Sequence, residues 1–171
     1  MSEQRKPKLI VFDLDYTLWP FFVQTQVARP LIKNSDGDVF DRYHQPIKPF
    51  LEVPMILSDL HGKGYELAIA SRTCEIRGAN QLIKLFEWDK YFKYKEIYPI
   101  SKLKHFSKLC GDSGFNYEEM LFFDDDKRNI QLLSEKGVTC IHVPRVGVTK
   151  SLVEAGLQKF SLTGYSWYED Y

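Results

Sequence analysis

At 171 residues the chain has the length of one domain and can bury most of its unfolded surface without disulfides or a structural metal. Lys plus Arg and Asp plus Glu are equal at 23 each, which excludes the one-sided field of a dedicated nucleic-acid binder or an anionic-membrane binder. The three cysteines, Cys74, Cys110 and Cys140, are far apart and odd in number, a pattern that excludes a disulfide framework or zinc site and predicts buried thiols in a reducing compartment.

Taken in order, Met1 to Lys8 are polar and charged with no apolar signal core, and no stretch approaches a membrane span; the expectation is a cytoplasmic chain with no membrane partner. Leu9–Phe12 is an apolar run without polar alternation, the pattern of a strand buried on both faces. Asp13 and Asp15 follow it. Residues i and i+2 of a strand share a side, so both carboxylates point into one place while Leu14 points to the core, with the Thr17 hydroxyl two residues on. From Trp19 to Phe50 the rhythm breaks, with Pro20, Pro30, Pro46, Pro49 and a turn-like Asn34-Ser35-Asp36-Gly37-Asp38, and a β-hairpin excursion is predicted. Val53, Ile56, Leu57 and Leu60 keep a helical spacing that stops before Gly62 and Gly64. A second buried strand over Leu67–Ala70 delivers Ser71, and Ile76, Ala79, Ile83 and Phe86 stripe another helix. A helix is expected around Leu103–Cys110, a strand over Leu121–Phe123 ending in Asp124-Asp125-Asp126, and a helix around Asn129–Lys136. Cys140–Val143 completes the strands, and Ser151–Phe160 forms a last helix opened by a possible Ser151-to-Glu154 capping box. The aromatic and acidic Tyr165–Tyr171 could dock on the body or engage a partner.

Strands alternating with helices predict an α/β fold, a doubly wound parallel sheet in a single domain over residues 1–171, with a core at about 9–160 and the excursion at about 19–50. Ligands of such sheets bind at the carboxyl ends of the strands, where both acidic clusters and Ser71 fall. Carboxylates converging without neutralisation repel one another, so a hard cation with oxygen ligands is the sensible occupant, and magnesium is expected on Asp13, Asp125 and a backbone carbonyl near Asp15. Asp13 is the candidate nucleophile toward a phosphoryl group, and Asp15 the acid that protonates the leaving oxygen and then the base that activates water. Ser71 and a lysine would bind the phosphoryl oxygens. Each has a plainer rival: turn chemistry for the aspartates, a helix N-cap for Ser71, a solvated surface position for Lys102, and core packing for Trp19, Phe21 and Phe22.

These residues resemble the motifs of the haloacid dehalogenase superfamily over Leu9 to about Phe160. Asp13-Leu14-Asp15-Tyr16-Thr17 is similar to its first motif, Ser71 to the second, Lys102 to the third and Phe122-Phe123-Asp124-Asp125 to the acidic fourth, with Asn129 where a later acidic residue is usual. Within the superfamily, Asp13 through Pro20, Ala70-Ser71-Arg72-Thr73 and Phe122 through Asp125 resemble the small eukaryotic magnesium-dependent phosphatases. The resemblance implies Asp13 and Asp15 as catalytic, Ser71, Arg72 and Lys102 as substrate-binding, and Asp13, Asp15, Asp125 and Asp124 around Mg2+, with phosphotyrosine or sugar phosphates such as fructosamine 6-phosphates as substrates. The partner would be a phosphorylated small molecule or phosphoprotein, and a monomer is expected. Ser71 and Lys102 lie too close for a large inserted cap, so a capless, open site is expected. The competing readings are a receiver-like phospho-aspartate switch, against which the Asp13/Asp15 spacing speaks, and a catalytically silent binding module; a dehalogenase would need neither Asp15 nor a metal.

Overall fold

The computed structural model describes residues 3–164; Tyr165–Tyr171, where the docking segment was expected, lies outside the described residues. Its elements are β1 (Leu9–Phe12), α1 (Val23–Gln26), β2 (Ile32–Lys33), β3 (Val39–Phe40), β4 (Pro46–Ile47), α2 (Val53–Gly62), β5 (Glu66–Ser71), α3 (Ile76–Leu85), β6 (Phe92–Ile97), α4 (Lys102–Ser113), β7 (Met120–Asp124), α5 (Lys127–Ser134), β8 (Thr139–His142) and α6 (Lys150–Leu162). The main sheet is parallel and runs β6-β5-β1-β7-β8, so β1 is central, with Leu9 opposite Glu66 on one side and Met120 on the other.

Alternate residues of β1 serve different cores. Ile10 and Phe12 pack with Leu57 and Leu60 of α2, Leu82 and Ile83 of α3, and Val153 and Phe160 of α6. Leu9 and Val11 pack on the other face with Phe106 and Leu109 of α4 and Leu133 of α5. This is why the strand sequences read as unbroken apolar runs: both faces are covered by helices. Helix α6 approaches closely at Gly156, where a Cβ would come within 2.8 Å of the Phe123 ring, so only a residue without a side chain fits there.

The strand expected between Ser71 and Lys102 is β6, which no apolar run marks, because Phe-Lys-Tyr-Lys-Glu-Ile at the sheet edge alternates polar with apolar and leaves its lysines in solvent. Three features differ from the sequence expectations. The excursion forms three short antiparallel strands, β2-β3-β4, one more than a hairpin, preceded by α1. Helix α6 starts at Thr149, whose hydroxyl accepts the Leu152 N–H at 3.2 Å, so the expected cap at Ser151 is displaced by the residue two earlier. Of the cysteines only Cys140 is buried; Cys74 is exposed and Cys110 half-buried, which corrects the expectation of three buried thiols. Among the described residues no helix is long and apolar enough to cross a membrane.

Candidate active site

β1 hands its chain on to Asp13, whose N–H continues the ladder to Phe123 O at 3.0 Å. The turn that follows is tightly tied. Leu14 O accepts from Thr17 N at 3.0 Å and Leu18 N at 2.9 Å, Tyr16 N donates to Trp19 O at 2.7 Å, and Tyr16 takes a left-handed φ of 55°. That conformation costs a non-glycine residue energy and recurs where function dictates the backbone. The turn lets Thr17 reach back, its hydroxyl donating to Asp13 Oδ2 at 3.1 Å.

Lys102 opens α4, whose first turn is capped by Ser101, and its side chain runs fully buried to the carboxyl ends of the central strands β5, β1 and β7, contrary to the solvated alternative. Its ammonium donates to Asp13 Oδ1 at 2.9 Å and to the Ala70 carbonyl, and lies 3.2 Å from Asp124 Oδ2. Burial alone would lower its pKa, but the two carboxylates outweigh burial and the net shift is upward, so Lys102 is charged. Asp124, at the end of β7, is almost fully buried: Oδ1 accepts Asp126 N at 2.8 Å and Oδ2 accepts Asn129 Nδ2 at 3.0 Å as well as facing Lys102. Asn129, whose role the sequence left undecided, therefore orients Asp124. Asp125 is half-exposed, and its backbone carbonyl pairs with His142 Nε2 of β8 at 2.9 Å, a support with no sequence signal.

One oxygen from each of Asp13, Asp124 and Asp125 lies within 4.8 Å of the others. Three carboxylates face one ammonium. Burial pushes the Asp13 carboxyl up to about 6, with Lys102 opposing and Asp125 adding to the rise. Asp124 is also pushed up to about 6, by burial first and the Asp13 charge second. Such under-neutralised oxygens fit a hard divalent cation; Asp13 and Asp124 each have both oxygens in hydrogen bonds or facing Lys102, and Asp125 completes the group. Asp15 lines the same cavity, its Oδ1 accepting Trp19 Nε1 at 2.8 Å and Val23 N at 3.2 Å. Burial shifts its pKa upward, against those two hydrogen bonds.

Ser71 ends β5 and is buried; its Oγ accepts Thr73 N at 3.3 Å, while the N-cap of α3 is Glu75, so the capping alternative for Ser71 does not apply. Asp13, Asp15, Ser71, Arg72, Lys102, Asp124, Asp125 and Asn129 line one cavity of about 530 Å³. The excursion contributes only Phe22 and Gln24 to it, and β2-β3-β4 stand elsewhere, near the end of α3, where Lys33 donates to Leu85 O. The cavity thus carries no cap. Of the aromatics after the first motif, Trp19 and Phe21 stack at 5.4 Å in the core, while Phe22 stands at the rim.

His105, one turn after Lys102, is buried, with Nε2 2.9 Å from Tyr98 O. Burial, reinforced by the Lys102 charge, pushes its pKa down to about 4 from an ordinary 6.5. The unfolded chain binds that proton first, so the stability contributed by the neutral ring is present above 6.5 and is lost as pH falls toward about 4. Asp13 and Asp124 act in the opposite sense, since folded carboxyls raised to about 6 are protonated before the unfolded ones at 3.8. Accordingly His105→Gln should raise the urea midpoint at about pH 5 relative to that at about pH 7, both measured without metal, by comparison with the parent; an unchanged difference would remove His105 from this account.

Residues 5–163 match the acid phosphatase family model. Human magnesium-dependent phosphatase 1 is 50% identical over 157 residues, 92% of this chain and 89% of its own length. A HAD-like hydrolase superfamily protein of Schizosaccharomyces pombe is 36% identical over 154 residues, 84% of this chain and 83% of its own. Among solved structures, the N-terminal part of a Bacteroides fragilis protein, containing a phosphatase domain complexed with Mg, superposes with a TM-score of 0.61 at 17% identity, over 91% of this chain and 41% of that one, a likeness of fold.

Proposed function

The chain belongs to the acid phosphatase family, on the haloacid dehalogenase fold, and from that premise we propose that it is a magnesium-dependent phosphomonoesterase working through a phosphorylated Asp13. The observation that carries the reading is the buried Lys102 bridging Asp13 and Asp124 at the carboxyl ends of β1 and β7, with Asp15 beside them in the same cavity. A carboxylate oxygen of Asp13 attacks phosphorus, the ester P–O bond breaks, and Asp15 gives its proton to the leaving oxygen. Asp15, now ionised, takes a proton from water as that water attacks phosphorus; the bond to Asp13 breaks and inorganic phosphate leaves. The upward shift of the Asp15 carboxyl favours the protonated start. Lys102 and Ser71 hold phosphoryl oxygens through both steps, with Arg72 at the mouth. Magnesium, held by Asp13 and Asp125 with Asp124 and the backbone carbonyl of Asp15 in support, would supply positive charge to the phosphoryl oxygens and to the crowded carboxylates.

Two expected results follow from these roles. Asp15→Asn lowers kcat on the order of 10²–10⁴-fold, the usual weight of acid/base help, with magnesium binding little changed; a parental rate would refute the role. Asp125→Ala moves the magnesium titration of activity, and of thermal stabilisation by magnesium, to higher concentration. Titration curves superposing on the parent would reassign that ligand.

An open site admits bulky or protein-borne phosphates, so both phosphotyrosine and sugar phosphates remain within the reading. The deciding measurement is the ratio of kcat/KM for a fructosamine 6-phosphate over a phosphotyrosyl peptide, with magnesium present and Asp13→Asn as blank. A ratio well above one assigns the chain to metabolite or glycation repair, and one well below it to protein dephosphorylation. Hydrolysis of neither would overturn the function.

A further inference from the structure

The cavity over the carboxylates is lined by an aromatic ring as well as by cations. Phe22 is 51% exposed, its ring edge-on to Tyr16 at 4.6 Å, and Gln26 Oε1 accepts both the Phe22 N–H at 2.6 Å and the Tyr16 hydroxyl at 3.0 Å. The ring is therefore held in place although half of it meets water. The same cavity is lined by Arg72, from the turn after Ser71, and Lys127, from the first turn of α5, both exposed. Among the described residues neither forms an ion pair, whereas their neighbour Arg128 is tied to Asp126 at 2.8 and 3.1 Å. The chain as a whole has as many acidic as basic residues, so two unpaired cations at this rim are not a sample of a basic surface.

The cavity's 530 Å³ falls within the roughly 300–1,000 Å³ of small-molecule sites and far exceeds a phosphoryl group, which Lys102 and Ser71 hold at its floor. What lies above the floor is the leaving group. We propose that Arg72 and Lys127 form a leaving-group subsite that selects phosphomonoesters carrying a second anionic group, the apolar Phe22 ring offering that anion no partner. This rests on the phosphatase reading and adds the substrate's second charge to it. The rival role for such cations is steering, which draws in every phosphate and does not depend on a second charge held at a fixed place. The second anion could belong to a small metabolite or to an acidic phosphopeptide; the chemistry recognised is the same.

The test compares, in the magnesium-loaded parent and in Arg72→Gln/Lys127→Gln, the ratio of kcat/KM for 3-carboxyphenyl phosphate over phenyl phosphate. A second ratio compares phosphotyrosyl peptides with Glu or Gln beside the phosphoresidue. Comparing each ratio between variant and parent cancels the intrinsic reactivities of the two esters. The expected result is a fall of about tenfold in at least one ratio, the combined weight of two exposed ion pairs, and a larger fall in Lys127→Glu. A fall confined to the first ratio assigns the subsite to small substrates, and a fall in the second to peptides. If both members of each pair lose activity together, the cations steer and the proposal is overturned. Failure of the parent to hydrolyse any of the four would overturn the phosphatase reading itself, and this proposal with it.

Discussion

Asp13→Asn is expected to abolish turnover and the trapped phosphoenzyme while leaving the protein folded. Removing a nucleophile of this kind costs on the order of 10⁵–10⁶ in kcat, and an amide cannot take the phosphoryl group. Stability should move the other way. Burial pushes the Asp13 carboxyl up to about 6, so keeping it ionised at neutral pH costs the fold energy that the neutral amide would not. Lys102 keeps Asp124 as its counter-ion, 3.2 Å away, so the substitution does not strand a buried ammonium. The metal-free variant should therefore melt at or above the parental temperature. Radiolabelled phosphoenzyme in the variant would end the nucleophile assignment, and a collapsed melting temperature would end the electrostatic account.

Lys102→Met is expected to damage both catalysis and folding. Its ammonium is the cation between two buried carboxylates, and stranding buried charges by removing their partner costs about 3–5 kcal/mol. The lost donor on the phosphoryl oxygens adds a catalytic defect. Combining it with Asp13→Asn removes one of the stranded charges, so the double variant should be less destabilised than the single one. Urea unfolding of the four proteins gives the coupling energy; additive losses would mean that Lys102 and Asp13 do not share one electrostatic cluster.

How much of this was legible in the sequence depends on whether the deciding contacts were local. Asp13 and Asp15 were readable because a two-residue strand period fixes their faces once Leu9–Phe12 is recognised as buried. Lys102 was not readable from its own surroundings, since Lys104 and Lys108 share its helix and nothing nearby says which lysine turns inward. Its partners sit on β1 and β7, and only the strand order brings them to it. Asn129 was ambiguous for the same reason: its contact to Asp124 depends on where α5 begins, and that start, Lys127, falls two residues before the apolar pattern suggests. Asp15 lines the same cavity as Asp13, as that period implies, although the strand itself ends at Phe12. The turn that follows aims Asp15 at Trp19 and Val23.

The placement of β1 also governs how the chain must assemble. It precedes in sequence both strands that flank it, Glu66–Ser71 and Met120–Asp124. During synthesis one of its edges therefore waits unpaired until Glu66–Ser71 has emerged, and the other until Met120–Asp124 has. Pairings so distant are slow to close, and unsatisfied edges invite association with other chains meanwhile. A fragment ending before Met120 is then expected to precipitate, and chaperone demand should fall on the interval before that strand emerges.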